Sequence, residues 1–241
     1  MIILINVEIN RICKSFKDFN LEMTQMNFNK GDIIGVIGPN GAGKSTFMSI
    51  LYDLVKAEVA EFRILGSNYK SDRETLLNKV GYVTDKTSLF ENKSIKWNQK
   101  FFSSFYSSWD SELFYSLLSK FGLDEDKSID ELSKGMRIKL HIIFALSQQP
   151  HVLLLDEPTS GIDPLDRTEI SKLLVQFIEE DKSRTVIISS HISEDFDQVA
   201  NVLLFMNEGK VLAFDRVENF KSKYPNVQST SDLVHKFYVI D

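Results

Sequence analysis

Hydrophobic positions along this chain follow two periods, and the change from one to the other divides it into regions. Over residues 1–30, apolar and polar residues alternate, marked by Val7, Ile9 and Ile12 and punctuated by turn-like Lys17-Asp18 and Asn29-Lys30-Gly31. That period predicts antiparallel strands. The opening Met1-Ile2-Ile3-Leu4-Ile5 is brief and lacks a basic leader and a small-residue cleavage site. It reads as the start of an edge strand, not as a signal peptide. Residues 33–37 are short, apolar and rich in β-branched residues, as in a strand buried on both faces. Phe47, Ile50, Leu51 and Leu54 then recur at helical spacing, predicting a helix over about 45–55. Short strands are predicted around 61–65 and 80–83.

Between about 85 and 130 the texture becomes helical and aromatic. Phe101, Phe102, Phe105, Tyr106, Trp109, Phe114, Tyr115, Leu117, Leu118 and Phe121 recur at helical spacings among Ser and Lys. Most of these aromatics are expected to form the core of a small helical lobe, and some of them a docking cleft for a partner helix. Further on, the pattern predicts helices at about 135–147 and 164–180 and strands at 152–155 and 185–189. A short helix is expected at 194–200, then a hairpin of 202–206 and 210–214 around Asn207-Glu208-Gly209. The tail suggests one amphipathic helix near 217–224.

Composition narrows the function classes. The chain has 241 residues, 43% hydrophobic and 26% charged, with a net charge of −6. This suits one large soluble domain or a core with an inserted lobe. The acidic balance and the lack of a basic stripe argue against nucleic acid as a partner. The single cysteine, Cys13, cannot form an internal disulfide and reads as a small core residue. No apolar run approaches the length of a membrane span, so any membrane work requires another chain.

Candidate chemistry concentrates in Gly38-Pro39-Asn40-Gly41-Ala42-Gly43-Lys44-Ser45-Thr46, which follows a predicted strand and opens a predicted helix. Glycines let backbone N–H groups close around an anion, and the helix N-terminus adds partial positive charge. Lys44 can reach the β- and γ-phosphates of a nucleotide, and the Ser45 hydroxyl can ligate Mg²⁺. A second constellation ends the buried strand Val152-Leu153-Leu154-Leu155-Asp156-Glu157. Ligands bind at such strand ends. Asp156 can hold the Mg²⁺ shell opposite Ser45, and Glu157 can orient or deprotonate the attacking water.

The remaining motifs carry a resemblance. Leu132-Ser133-Lys134-Gly135-Met136 resembles the L-S-G-G-Q signature of ABC-transporter ATPases. Pro158-Thr159-Ser160-Gly161-Ile162-Asp163-Pro164 resembles that family's D-loop, and Ser190-His191 its switch histidine. Gly81-Tyr82-Val83-Thr84-Asp85 occupies the place of the Q-loop, and Phe16 that of the aromatic that stacks on adenine, with Phe19 as a rival. The resemblance runs from about residue 4 to 215. It implies an α/β P-loop NTPase core with an antiparallel β-subdomain and an all-helical lobe inserted at about 86–134. This ATPase domain would span 1–215, leaving 216–241 as a tail.

What the resemblance implies is an ATP- and Mg²⁺-dependent ATPase whose sites are split between two chains. One chain would supply the phosphate loop, Asp156, Glu157 and His191; the other would supply Ser133 and Gly135. ATP would then join two copies, with a polytopic membrane permease as further partner, and the subunit would lie on the cytoplasmic face of the membrane. The texture resembles bacterial exporter ATPases for antibiotics or small amphipathic peptides. A soluble ABC ATPase, such as an iron–sulfur assembly component, is the alternative. A DNA-repair ATPase would require a long coiled-coil insertion and a different charge. Two departures stand out: Lys134 and Met136 replace signature residues, and Asp85 stands where glutamine is usual. Asp85 could reach Mg²⁺ through a water, or only add repulsion near the γ-phosphate.

Overall fold

The structure is a computed structural model describing residues 5–68, 73–84 and 89–238. In chain order the elements are β1 (Ile5–Phe16), β2 (Phe19–Asn29), β3 (Ile33–Ile37), α1 (Lys44–Leu51), β4 (Val59–Ile64), β5 (Ser67–Asn68), α2 (Arg73–Leu77), β6 (Val80–Val83), α3 (Ile95–Ser103), α4 (Ser111–Lys120), α5 (Lys134–Ser147), β7 (Val152–Asp156), α6 (Pro164–Glu180), β8 (Thr185–Ser190), β9 (Val202–Asn207), β10 (Lys210–Arg216), α7 (Val217–Lys223) and α8 (Thr230–Tyr238). The strands make one curled sheet in the order β5-β4-β1-β2-β10-β9-β3-β8-β7-β6. From β9 to β6 the pairs are parallel, and from β5 to β2 they are antiparallel. A single parallel pairing, Lys210 with Glu22, joins the two halves.

The β3 side chains show why that strand is apolar throughout. Ile33 and Ile37 enter the core beneath α5 and α6, whereas Ile34 and Val36 enter the core shared with α1 and the antiparallel strands. In β7, Leu153 and Leu155 face the first core, and Val152 and Leu154 the second. Both strands are buried on two faces, as parallel strands covered by helices must be.

Several expectations need correction. The strand that begins the chain is not at an edge: β1 pairs with β2 on one side and β4 on the other, and β5 forms that edge. Cys13 on β1 is half-buried instead of a core residue. The helix after β3 stops at Leu51, because Asp53 adopts a left-handed backbone, leaving Leu54 62% exposed. Leu65, at φ 53°, lies in the turn beyond β4. Residues 194–200 do not form an α-helix. Ser193–Phe196 is a single 3-10 turn with Asp195 and Phe196 both turned inward.

The lobe divides its aromatics between inside and outside. Phe114 is fully buried, with Trp109 and Phe144 packed on it at centroid distances of 5.5 and 5.0 Å. Phe101 and Phe105 instead face outward, Phe101 stacked on Trp97 and Phe105 against Phe101.

The tail forms two helices where one was expected, and both pack on the sheet. Phe220 and Leu233 are buried, and Phe237 lies 4.7 Å from the Phe205 ring. The Tyr238 hydroxyl donates to the carbonyls of Ile37 (2.8 Å) and Met206 (3.0 Å), bracing the end of β3 immediately before Gly38. Burial pushes the Tyr238 pKa well up, so the hydroxyl keeps its proton. Replacing this donor in Tyr238→Phe should cost about 1 kcal/mol and lower Tm by about 2–4 °C. Thermal unfolding of the two proteins checks this, and an unchanged Tm would remove the bracing role.

Candidate functional site

Three strand ends converge on one edge. Ile37 of β3 pairs with Ser190 of β8, and Asp156 of β7 pairs with Ser189. Parallel register therefore places the loop after β3, the carboxylates after β7 and the histidine after β8 side by side. They line a cavity of about 930 Å³ together with Asp18, Phe19, Val83, Thr84 and the α5 residues Lys134, Ile138 and His141.

Residues 38–44 wrap tightly. Gly43 caps α1 at φ 101°, and Gly41 lies at φ 83°, a backbone region that penalises side chains. A Cβ on Gly43 would approach Phe19 Cζ to 2.8 Å, and one on Gly38 would lie 2.5 Å from the Met206 carbonyl oxygen. The loop is thus held against β2 and β9. Lys44 is only 5% exposed. Its Nζ donates to the carbonyls of Gly38 (2.7 Å) and Pro39 (3.2 Å) and lies 3.1 Å from Glu157 Oε1. A buried ammonium requires such partners.

Glu157 sits at φ 52°, a conformation that costs on the order of 1–3 kcal/mol and must be held by its surroundings. Its N–H donates to Ser189 Oγ (2.9 Å), which itself donates to Asp156 Oδ1 (2.7 Å). The Glu157 carboxylate lies between Lys44 and His191, with His191 Nδ1 2.5 Å from Oε2. An ionised carboxylate only accepts, which fixes the proton on Nδ1. Burial, then the neighbouring Arg137 charge, pushes His141 down to about 4, so it enters the cavity as a neutral ring.

Asp156 is 8% exposed, and no Lys, Arg or His pairs with it among the described residues. No cluster of three or more His, Cys, Asp or Glu there could hold a metal alone. A carboxylate and the exposed Ser45 hydroxyl at the start of α1 are oxygen donors of the kind Mg²⁺ takes, with phosphate oxygens and waters completing its shell. The donor set fits that ion when a nucleotide accompanies it.

The cavity is lined by Asn40, Gly41, Ala42, Gly43, Lys44, Ser45, Thr46, Asp156, Glu157 and His191. Phe16 is not among its lining residues. It is 45% exposed at the β1–β2 turn, 6.1 Å from the Phe19 ring, and Phe19 is the aromatic at the cavity. Ser133 and Gly135 also lie off the lining: Ser133 Oγ caps α5 by accepting from the Met136 N–H, and Gly135 packs on α6, where a Cβ would meet Asp166 Oδ2. Asp85 lies outside the described residues.

Sequence reasoning missed Ser189, Lys134, His141 and Asp195. Ser189 had a signal, since two serines close an otherwise apolar strand. Lys134 reads in the sequence only as a departure from the signature, although its Nζ reaches Gly161, where a Cβ would come within 2.6 Å of it. His141 had none, because one histidine in an apolar helix reads as packing.

Comparison with known proteins identifies the family. The family model described as ABC transporter matches residues 21–160. The lantibiotic transport ATP-binding protein SrtF of Streptococcus pyogenes is 33% identical over 226 residues, covering 91% of this chain and 96% of that protein. The bacitracin transport ATP-binding protein BcrA of Bacillus licheniformis is 29% identical over 214 residues, covering 87% and 70%. A solved ATP-binding subunit of an ABC transporter superposes with TM-score 0.85 at 21% identity, covering 96% of this chain and 98% of that one. A dimeric post-hydrolysis ATP-binding cassette bound to ADP and Pi superposes with TM-score 0.75 at 21% identity, covering 88% and 98%.

Lys44→Ala removes the one lysine charge buried under the loop. Nucleotide affinity should fall at least about tenfold, the loss expected for a charge-assisted contact. Titration with a fluorescent ATP analogue measures it; unchanged affinity would remove Lys44 from the phosphate site.

Proposed function

This chain belongs to the ABC transporter ATP-binding family, and from that membership we propose that it powers a bacterial exporter of antibiotics or small amphipathic peptides. It is an ATP-binding, ATP-hydrolysing transporter subunit. Export and the cargo class are supported by the lantibiotic and bacitracin transport relatives. A soluble assembly ATPase has no support among these relatives.

The observation that carries the mechanism is the Glu157 carboxylate held between Lys44 and His191. Lys44 and Glu157 neutralise each other at 3.1 Å. An incoming triphosphate would take over the lysine, and Glu157 would be released towards the attacking water with His191 still bonded to it. Glu157 then acts as general base, and the loop N–H groups with the α1 N-terminus take the phosphate charge. Asp156 and Ser45 would hold Mg²⁺, which supplies charge neutralisation at the phosphates. Ser133 and Gly135, off this chain's own cavity, serve the site of a second copy.

Glu157→Gln should lower turnover by about 10²–10⁴-fold, while affinity for ATP stays equal or tightens because the competing partner of Lys44 is gone. ATP should then hold two copies together, read as a doubled mass in light scattering, and adding Ser133→Arg should abolish the doubling. Turnover close to wild type, or a mass that ignores ATP, would overturn these roles.

The membrane partner is a polytopic permease, placing the subunit at the cytoplasmic face of the membrane. Among the described residues no helix is long and apolar enough to cross a membrane. On α3, Trp97 and Phe101 stack at 5.4 Å and 7°, with Phe90 and Phe105 beside them, all at least 37% exposed. A contiguous exposed aromatic patch marks an interaction surface, and a cytoplasmic helix of the permease is its proposed occupant. Trp97→Ser with Phe101→Ser should leave the isolated chain's ATPase rate unchanged and abolish co-purification of the permease. Retained co-purification would exclude this surface.

A further inference from the structure

We propose that Asp195 is a positioning residue for hydrolysis: its buried carboxylate ties the segment following Glu157 to the segment preceding His191. The proposal rests on the roles given above to those two residues. Asp195 lies in the 3-10 turn Ser193–Phe196 and is 9% exposed. Its Oδ2 accepts from Thr159 Oγ1 at 2.5 Å and from Ser190 Oγ at 2.8 Å. Thr159 is 2% exposed and Ser190 is fully buried. Thr159 follows Glu157 by two residues, and Ser190 immediately precedes His191. One oxygen therefore serves both loops.

The other oxygen continues the link. Oδ1 lies 3.8 Å from Arg167 Nη1, and Arg167 Nε donates to the Ile162 carbonyl at 3.3 Å. Asp195 thus also reaches the 158–163 turn that leads into α6.

Glu157 occupies a left-handed backbone conformation, which persists only where its neighbours hold it. Ser189 Oγ holds its N–H from the β8 side. On the chain that follows, Thr159 is the next side-chain anchor, and Asp195 is what it grips. No contact of Lys44 involves Asp195. Loss of the carboxylate should spread Glu157 and His191 apart while leaving nucleotide capture intact.

The test compares steady-state ATPase kinetics and ATP-analogue affinity in the full chain. Asp195→Ala should lower kcat about 10–100-fold, the scale of an ångström-level misplacement, with KM and affinity within about twofold. Asp195→Asn can place its carbonyl oxygen where Oδ2 lies and still accept both hydroxyls, so it should restore most of the rate. Thr159→Val, close in shape, should reproduce part of the kcat loss without moving affinity, and should add little in the Asp195→Ala background. If Asp195→Ala fails to fold, Thr159→Val carries the kcat loss at unchanged affinity, with Asp195→Asn as the variant that keeps the rate. Wild-type kcat in Thr159→Val, or kcat and affinity falling together without rescue by Asn, would overturn the proposal. Glu157→Gln run alongside separates the two levels. If it stays active, the catalytic reading fails; if it is inactive while Asp195→Ala and Thr159→Val are active, only the positioning role fails.

Discussion

The parallel register of β3, β8 and β7 is the constraint on which the site depends. Ile37 opposes Ser190 and Asp156 opposes Ser189, so one step past each strand end come Gly38, His191 and Glu157. A slip of one residue in a pair would invert every side chain of that strand. In β7, Leu153 and Leu155 pack into one core and Val152 and Leu154 into the other, which anchors the strand on both faces. Apolar packing well below the cavity therefore sets the separation of a buried lysine, a carboxylate and an imidazole.

A second level of control comes from hydroxyls. Two of the carboxylates at this edge are oriented by short hydroxyl side chains: Asp156 by Ser189 of β8, and Asp195 by Ser190 of β8 and by Thr159 of the segment after β7. Consecutive strand residues point to opposite faces, so adjacent serines can serve two carboxylates on different sides of β8. The α5–α6 contact works similarly at longer range. Gly135 lets α6 approach, and Lys139 pairs with Asp166 and Glu169, which sets where the α5 N-terminus and Ser133 are presented.

What could be read from the sequence was whatever local chemistry dictates. The loop after β3, the buried run of β7, the 17-residue α6 with its Asp163 cap and Pro164, and the β9–β10 hairpin each announce themselves by glycine, apolar run, cap or turn. What sequence alone hid depends on long-range pairing. Residues 5–16 look like an edge strand because nothing local says that β4 will cover them. Residues 194–200 look helical, yet Asp195 turns inward towards Thr159, 36 positions away, and the segment tightens into one 3-10 turn. Phe16 and Phe19 are equivalent by pattern, and only the two-residue turn between them decides that Phe19 reaches the loop. The second tail helix was illegible because its apolar face exists only against Phe205 and Phe220.

The charges around the cavity constrain how it can hold a triphosphate. Two lysines, Lys44 and Lys134, stand there against three carboxylates, Asp18, Asp156 and Glu157, and His141 is neutral. Those lysines and carboxylates sum to about one negative charge, so their attraction alone does not recruit a polyanion. The attraction has to come from groups that carry no formal charge, the N–H groups of the glycine loop and the α1 terminus, whose dipole favours anions. The remaining repulsion from Asp156 falls away if a divalent cation enters with the nucleotide, since a bound ion becomes the largest local charge and inverts the sign of its surroundings. An acidic lining of this kind would favour metal-bound over metal-free nucleotide. It also gives Asp156 a reason to stay buried without a cationic side chain beside it.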